Sequence, residues 1–309
     1  MPPEPPRIDR VTPSRRNGFS AVRLDRLAER RDDAEWVRLA EESPAARFIP
    51  LWRNRCLLNT APGNTSAVYL AHDEIAALGP VQPTLLGADG ERLYFAASLD
   101  DRQQESVLAR HADCRFLDLR LASLELDAGH AGILAYAKAL HYWQYRNAYC
   151  GICGSANQLT MAGHRLVCSS AACGRESFPR IDPAVIVLVH DDEGCLLGRN
   201  ASWPPRRFST LAGFVEPGES LEDAVVREVF EEAQVRLRGI RYASSQPWPF
   251  PSSAMCGFYA EAKNRECGAT DEMEEVRWFA AGELGAAVRD DEAVSYTHLT
   301  LPTTIGWWS

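Results

Sequence analysis

The chain has 309 residues, with 33 Lys and Arg against 42 Asp and Glu, a formal charge of −9. A hydrophobic fraction of 46% and a charged fraction of 24% are those of globular proteins and exclude a disordered, collagen-like or coiled-coil chain. The acidic balance argues against broad electrostatic binding of a nucleic-acid backbone and suits a protein that meets anionic substrates through divalent cations.

Residues 1–18 carry Pro and charge but no apolar core, so they predict a disordered start and not a secretory signal. From Phe19 to Glu42, LDRLAERR and WVRLAEE recur at helical spacing. Short strand-like runs follow: ARFIPLW, NRCLLN, SAVYLA and TLLGADGERLYFAASL. The last has Asp89-Gly90 between apolar runs, a hairpin signal. Together they predict an α+β domain over 19–126. A linker helix is expected over 127–147, with Ile133, Tyr136, Ala137, Leu140 and Trp143 on one face. From Ile181, AVIVLVH, DDEG and CLLGR spell a second strand, turn and strand. Their echo of TLLGADGERLYF suggests two related α/β/α units, only the second with an active-site pattern. The apolar run Ala184 to Val189 is far short of the roughly 20 residues that a bilayer crossing needs, so no membrane partner is expected. The tail over 295–309, SYTHLTLPTTIGWWS, follows neither period. It reads as translated adapter sequence or a frameshift and is set aside.

Nine cysteines are present, and Cys150, Cys153, Cys168 and Cys173 fall within 24 residues. A disulfide framework is out of place in a cytoplasmic chain of this size, the expected location, whereas clustered thiolates suit a metal. The spacing Cys-x2-Cys, fourteen residues, Cys-x4-Cys predicts a zinc ribbon over 148–179. Four protein ligands leave no open position, so the Zn2+ would be structural, one per chain. His164 is a substitute ligand to weigh, but a solvated hairpin histidine is the better expectation.

The segment Gly213 to Val235, GFVEPGESLEDAVVREVFEEAQV, predicts a helix over 221–233 with Ser220 as N-cap and Asp223 completing a capping box. Leu221, Ala224, Val225 and Val229 make its apolar side. Glu228, Glu231 and Glu232 stand at i, i+3 and i+4, on one arc, where they repel one another unless a hard divalent cation such as Mg2+ or Mn2+ binds. Arg227 beside them can hold a carboxylate, with Glu219 the candidate. On the three glutamates alone, a solvated acidic face is the better reading.

The full spacing, Gly213, Glu219, Arg227-Glu228, Val229, Glu231-Glu232 and Val235, resembles the Nudix box, with one departure: Gln234 stands where the family has a helix-ending Gly. The resemblance implies a Nudix α/β/α sandwich over 180–294. It implies that Glu228 and Glu232 ligate catalytic cations, that Glu231 is a ligand or acts on the attacking water, and that the backbone carbonyl of Ala212 is a further ligand. Past the box, Ser245 to Pro251 reads SQPWPFP. Its prolines stiffen the loop, and its aromatic rings suit either base stacking or a rigid core loop. This motif, the four cysteines and the run Phe178-Pro179-Arg180-Ile181-Asp182-Pro183 resemble the NADH pyrophosphatase family of Nudix hydrolases. The resemblance is strong over 149–279 and weaker before it, where FIPLWRNR is family-like.

That family implies hydrolysis of the pyrophosphate of NAD(H) to nicotinamide mononucleotide and AMP, a homodimer, and in some members removal of NAD caps from RNA. It places substrate contacts at Phe178 and at Gln246, Pro247, Trp248, Pro249, Phe250, Pro251, Ser252 and Ser253. It also implies an acidic cation ligand before Trp278-Phe279, for which Glu272 is preferred over Glu274 and Glu275. The family's closing Pro-rich turn and helix are not visible after Val294. Two other readings stay open: a Nudix hydrolase of ADP-ribose or another dinucleotide, and a non-catalytic nucleotide-binding module.

Overall fold

The computed structural model describes residues 13–61, 64–122, 125–203, 205–280 and 282–283, so the tail over 295–309 lies outside the described residues. The chain forms two compact units. Among the described residues, the first holds 18–181 and 247–252; the second holds 13–17, 182–246 and 253–283.

The first unit begins with helix α1 (Ala34–Glu41), capped by Asp33, whose side chain accepts from Trp36 N–H. The helix expected from Phe19 is confined to α1 and one 3-10 turn at Ala28–Arg30. The reason is an edge contact: Asp25 exchanges two 2.8 Å backbone bonds with Ala88, which holds the chain extended where LDRL has helical spacing. Gly87 permits this, since a Cβ there would meet the Asp25 carbonyl oxygen at 2.1 Å. Then come β1 (Ala46–Trp52), β2 (Arg55–Ala61), β3 (Asn64–Ala67), α2 (His72–Ala76), β4 (Thr84–Ala88), β5 (Leu93–Ser98), α3 (Asp101–Arg110), β6 (Cys114–Leu117), α4 (Leu119–Ala122) and α5 (Ala128–Arg146). The sheet runs β3-β2-β1-β5-β4, with β6 on β2 and β1 parallel to β5. Asp89-Gly90 turns β4 into β5, as the sequence predicts. Asp127 caps α5 by accepting from Gly129 and His130 N–H. Its apolar face, with Ile133, Leu134, Ala137 and Leu140, closes over Ile49, Leu51 and Leu58 of the sheet.

The ribbon strands β7 (Asn157–Thr160), β8 (Arg165–Cys168) and β9 (Glu176–Ser177) form their own sheet, seated on the first one. His164 makes a 2.6 Å bond from Nε2 to the Leu85 carbonyl and is only 7% exposed. It is therefore neither a zinc ligand nor the solvated histidine expected, and burial lowers its pKa to about 4. Gln144 adds bonds to Thr84 Oγ1 and the Gly163 carbonyl.

The second unit holds β10 (Asp182–His190), β11 (Gly194–Arg199), β12 (Leu211–Phe214), α6 (Leu221–Ala233), β13 (Leu237–Trp248), β14 (Ser253–Ala262) and β15 (Glu275–Ala280). Its order is β13-β14-β10-β11-β15, with β12 on β10 and β10 parallel to β14. This repeats β4-β5-β1-β2-β6 of the first sheet, and α2 stands where α6 stands. The two units thus share a topology, but the sequence echo that suggested it pairs the wrong hairpins: β10–β11 corresponds to β1–β2, not to β4–β5. Residues 13–18 also differ from the disordered start expected. Pro13–Arg16 forms a 3-10 turn and Asn17 is buried.

Candidate active site

Helix α6 spans the residues expected, with its capping box formed by Ser220 and Asp223. Ala224, Val225, Val229 and Ala233 are fully buried against Val185, Val187, Leu211 and Phe258. Complete burial of each valine contributes about 2 kcal/mol. Gln234 ends the helix at φ 61°, ψ 17°, the left-handed conformation that glycine adopts at least cost.

The packing turns Glu228 and Glu232 inward. They are 7% and 4% exposed, whereas the Glu231 side chain is half exposed. Both buried carboxylates meet consecutive residues of β12. Glu232 Oε2 accepts from Ala212 N–H at 3.2 Å. Glu228 lies against Gly213, where a Cβ would sit 1.9 Å from its carboxyl carbon. The two therefore point the same way. In an antiparallel ladder one residue's N–H and C=O face the same edge, so the Ala212 carbonyl also faces Glu232.

Arg227 organises the rim. Its Nε and one terminal nitrogen clasp Glu219 at 2.6 and 3.0 Å. Nη1 donates to Glu228 at 3.0 Å and Glu231 at 2.9 Å, while Nη2, which clasps Glu219, also donates to the Phe214 carbonyl at 2.8 Å. This planar fork is beyond the reach of a lysine. Arg227 and the Glu216 N–H hold the Glu219 carboxyl down at about 2. Burial has the opposite effect on the inner pair: it raises Glu228, and it raises Glu232 to about 8, with the charges of Glu231 and Glu272 adding to both. Oxygen donors crowded until one resists ionising fit a hard divalent cation, whose charge removes the repulsion.

Of the three late acidic residues, Glu272 acts electrostatically on Glu228 and Glu232. Glu274 is instead paired with Arg199 at 2.6 Å, and Glu275 lies near Arg199 and Arg277.

Cys150, Cys153, Cys168 and Cys173 bring their sulfurs within 4.8 Å of one another. The pairs Cys150–Cys173 and Cys153–Cys168 are 3.8 and 3.4 Å apart. A tetrahedral ZnS4 centre has edges of about 3.8 Å, so the donor set and spacing fit zinc. Backbone N–H groups of Cys153 and Ile152 lower the Cys150 thiol, and the backbone N–H and hydroxyl of Ser155 bring Cys153 to about 6. Gly154 and Gly174, at φ 74° and 54°, give the knuckles their left-handed turns.

A NUDIX domain matches residues 180–299, and an NADH pyrophosphatase-like rudimentary NUDIX domain matches residues 45–143. The chain is 37% identical over 296 residues to the NAD-capped RNA hydrolase NudC of Mycobacterium bovis, covering 93% of this chain and 90% of that protein. It is 35% identical over 310 residues to the NAD-capped RNA hydrolase NUDT12 of Homo sapiens, covering 87% of this chain and 67% of that protein. The chain belongs to the NADH pyrophosphatase family of Nudix hydrolases. The shared topology of its two sheets is then that of a Nudix fold present twice, once in rudimentary form, with the short α2 in place of the carboxylate helix.

The remaining residues that the resemblance singled out are divided between the two units. Phe178 is 53% exposed on the first unit. Pro247, Trp248, Pro249, Phe250, Pro251 and Ser252 group with the first unit as well, while Gln246 and Ser253 are buried in the second. Trp248 and Phe250 meet edge-to-face at 5.0 Å and pack on the apolar cluster of the first unit. Both rings pack as part of a rigid loop and stay partly exposed. Sequence reasoning missed Asn17, which carries no motif. It also missed the reason for Gly213, which is space for Glu228. Position in the Nudix box flagged that glycine but could not say why.

Proposed function

We propose that the chain is a divalent-cation-dependent NAD(H) diphosphatase that converts NADH to reduced nicotinamide mononucleotide and AMP, and that it removes NAD caps from RNA in the same way. The observation that carries this reading is the buried Glu228–Glu232 pair on Gly213 and Ala212, in a chain whose relatives are named for NAD caps. Glu228, Glu232 and the Ala212 carbonyl would hold Mg2+ or Mn2+, with Glu272 as a further ligand. When bound, the cation would neutralise the pyrophosphate and lower the pKa of water.

The chain's own residues do the rest. Glu231, the most exposed of Glu228, Glu231 and Glu232, takes the proton of the attacking water. The water oxygen joins one phosphorus while the bridging oxygen leaves on the other phosphate. Arg227 fixes Glu228 and Glu231 for this, and Glu219 fixes Arg227. Gln246 to Ser253 and Phe178 contact the nucleotide. Zn2+ on the four cysteines holds the ribbon together and takes no part in the chemistry. Large exposed side chains around the ribbon, Tyr145, Tyr149, Ile152, Phe178 and Ile181, support a homodimer. Nine unpaired cysteines support a reducing, cytoplasmic setting. Among the described residues no helix is long and apolar enough to cross a membrane.

The test is product analysis after incubation with Mn2+ and, in parallel, NADH, NAD+, ADP-ribose and NAD-capped RNA. Reduced mononucleotide and AMP from NADH are expected. Turnover of ADP-ribose alone would overturn the substrate assignment.

A further inference from the structure

Residues 13–19 carry no motif, yet they bind the stretch that the reading above gives to the substrate. Within the second unit, Asn17 is 4% exposed, and its Nδ2 donates to Ser244 Oγ at 3.3 Å and to the Ser245 carbonyl at 3.1 Å. Ser245 N–H donates in turn to Ser14 Oγ at 3.0 Å. Within the first unit, Phe19 is 3% exposed and meets Trp248 and Phe250 edge-on, at 5.9 and 5.7 Å between ring centroids. The same short segment therefore anchors the chain on both sides of Gln246.

Gln246 lies between these two anchored stretches. It is 4% exposed, and neither its Nε2 nor its Oε1 has a hydrogen-bond partner among the described residues. A buried amide without partners is costly, and its retention points to a ligand that satisfies it. Ser244 and Gln246 are two residues apart on β13 and share a face of the strand. Fixing Ser244 thus fixes the direction of the Gln246 side chain.

We propose that residues 13–19 are a positioning strap for substrate recognition: Asn17 and Phe19 hold Ser244 to Phe250 so that the Gln246 amide is preset to bond the dinucleotide. The inference rests on the NAD(H) diphosphatase reading. Presetting a binding group lowers the ordering cost of association, and it serves ground state and transition state alike. The strap therefore acts on KM and leaves kcat to the carboxylate helix. Asn17 and Phe19 are positioning residues, since neither is assigned a contact with the substrate.

The experiment compares the full-length, zinc- and Mn2+-loaded protein with its Asn17→Asp, Phe19→Leu and Gln246→Ala variants, measuring KM and kcat for NADH and the melting temperature of each. Asn17→Asp keeps the shape but puts an acceptor against the Ser245 carbonyl. Phe19→Leu keeps apolar volume and removes the ring edges, so it carries the test should Asn17→Asp fail to fold. We expect KM to rise about tenfold in each variant, the scale of one lost buried bond, with kcat changed less than about twofold. The Asn17→Asp/Gln246→Ala double variant should show less than the product of the two single effects, as coupled sites do. Wild-type KM in the Asn17 and Phe19 variants, beside an impaired Gln246→Ala, overturns the strap alone. So do losses in kcat that track melting temperature, which mark a merely structural segment. A Gln246→Ala variant with wild-type KM overturns the role of the amide and the strap with it. A wild-type protein inert toward NADH overturns the function reading itself.

Discussion

The sharpest quantitative consequence of the site concerns Gly213, which ligates nothing through a side chain. A Cβ at this position would lie 1.9 Å from Cδ and Oε1 of Glu228 and 2.2 Å from its Oε2, where ordinary contact begins at 3.4 Å. In Gly213→Ala the carboxyl must therefore retreat by about 1.5 Å. The backbone is no obstacle, because Gly213 is not among the positive-φ glycines. Displacing a catalytic group by 1 Å can cost about 100-fold, so kcat/KM should fall by two orders of magnitude or more. Stability should fall by only about 1–3 kcal/mol, the cost of one overpacked methyl. NADH turnover with Mn2+ and thermal melting measure the two effects. Shortening the neighbour offers an internal control: Glu228→Asp should cost less in the Gly213→Ala background than in the wild type, because it makes room for the methyl. A Gly213→Ala protein within about threefold of wild-type kcat/KM would refute the claim that Glu228 must stand where it does.

Further expectations follow from the same geometry. Burial raises Glu232 from its ordinary 4.5 to about 8, so the metal-free protein is most stable below the lower value and loses stability as pH rises through the upper one. Its melting temperature should fall from pH 5 to pH 8; Glu232→Gln should flatten that slope, and saturating Mg2+ should restore stability at pH 8. A slope unchanged by Glu232→Gln would remove this carboxyl as its source. Gln234→Gly should stabilise the fold by about 1 kcal/mol in denaturant titrations, because only glycine takes the left-handed cap without cost. Elemental analysis should find one zinc per chain, and Cys168→Ser should abolish it. Chelation should free the thiols of Cys150, Cys153, Cys168 and Cys173 for titration while α6 stays folded in its own unit.

Local chemistry explains what could be read from the residues alone. Helix α6 was legible to the residue, because Ser220, Asp223 and the run of Ala224, Val225 and Val229 encode its start and its buried side within one segment. The cysteine quartet was legible for the same reason, since two tight turns a hairpin apart converge through nearby backbone. Long-range competition decided the rest. LDRL has helical spacing, yet Asp25 spends its backbone bonds on Ala88, more than sixty residues away. His164 looks like a hairpin histidine until the first sheet offers the Leu85 carbonyl. The three glutamates share one arc of the helix, but only the position of β12 buries two of them and leaves Glu231 outside. Glu272 and its rivals are nearly adjacent in sequence, and Arg199 separates them by drawing Glu274 away. Spacing along a chain determines which groups a helix or turn brings together. Which of them lose water, and which find a partner, depends on surfaces that meet only when the sheets close.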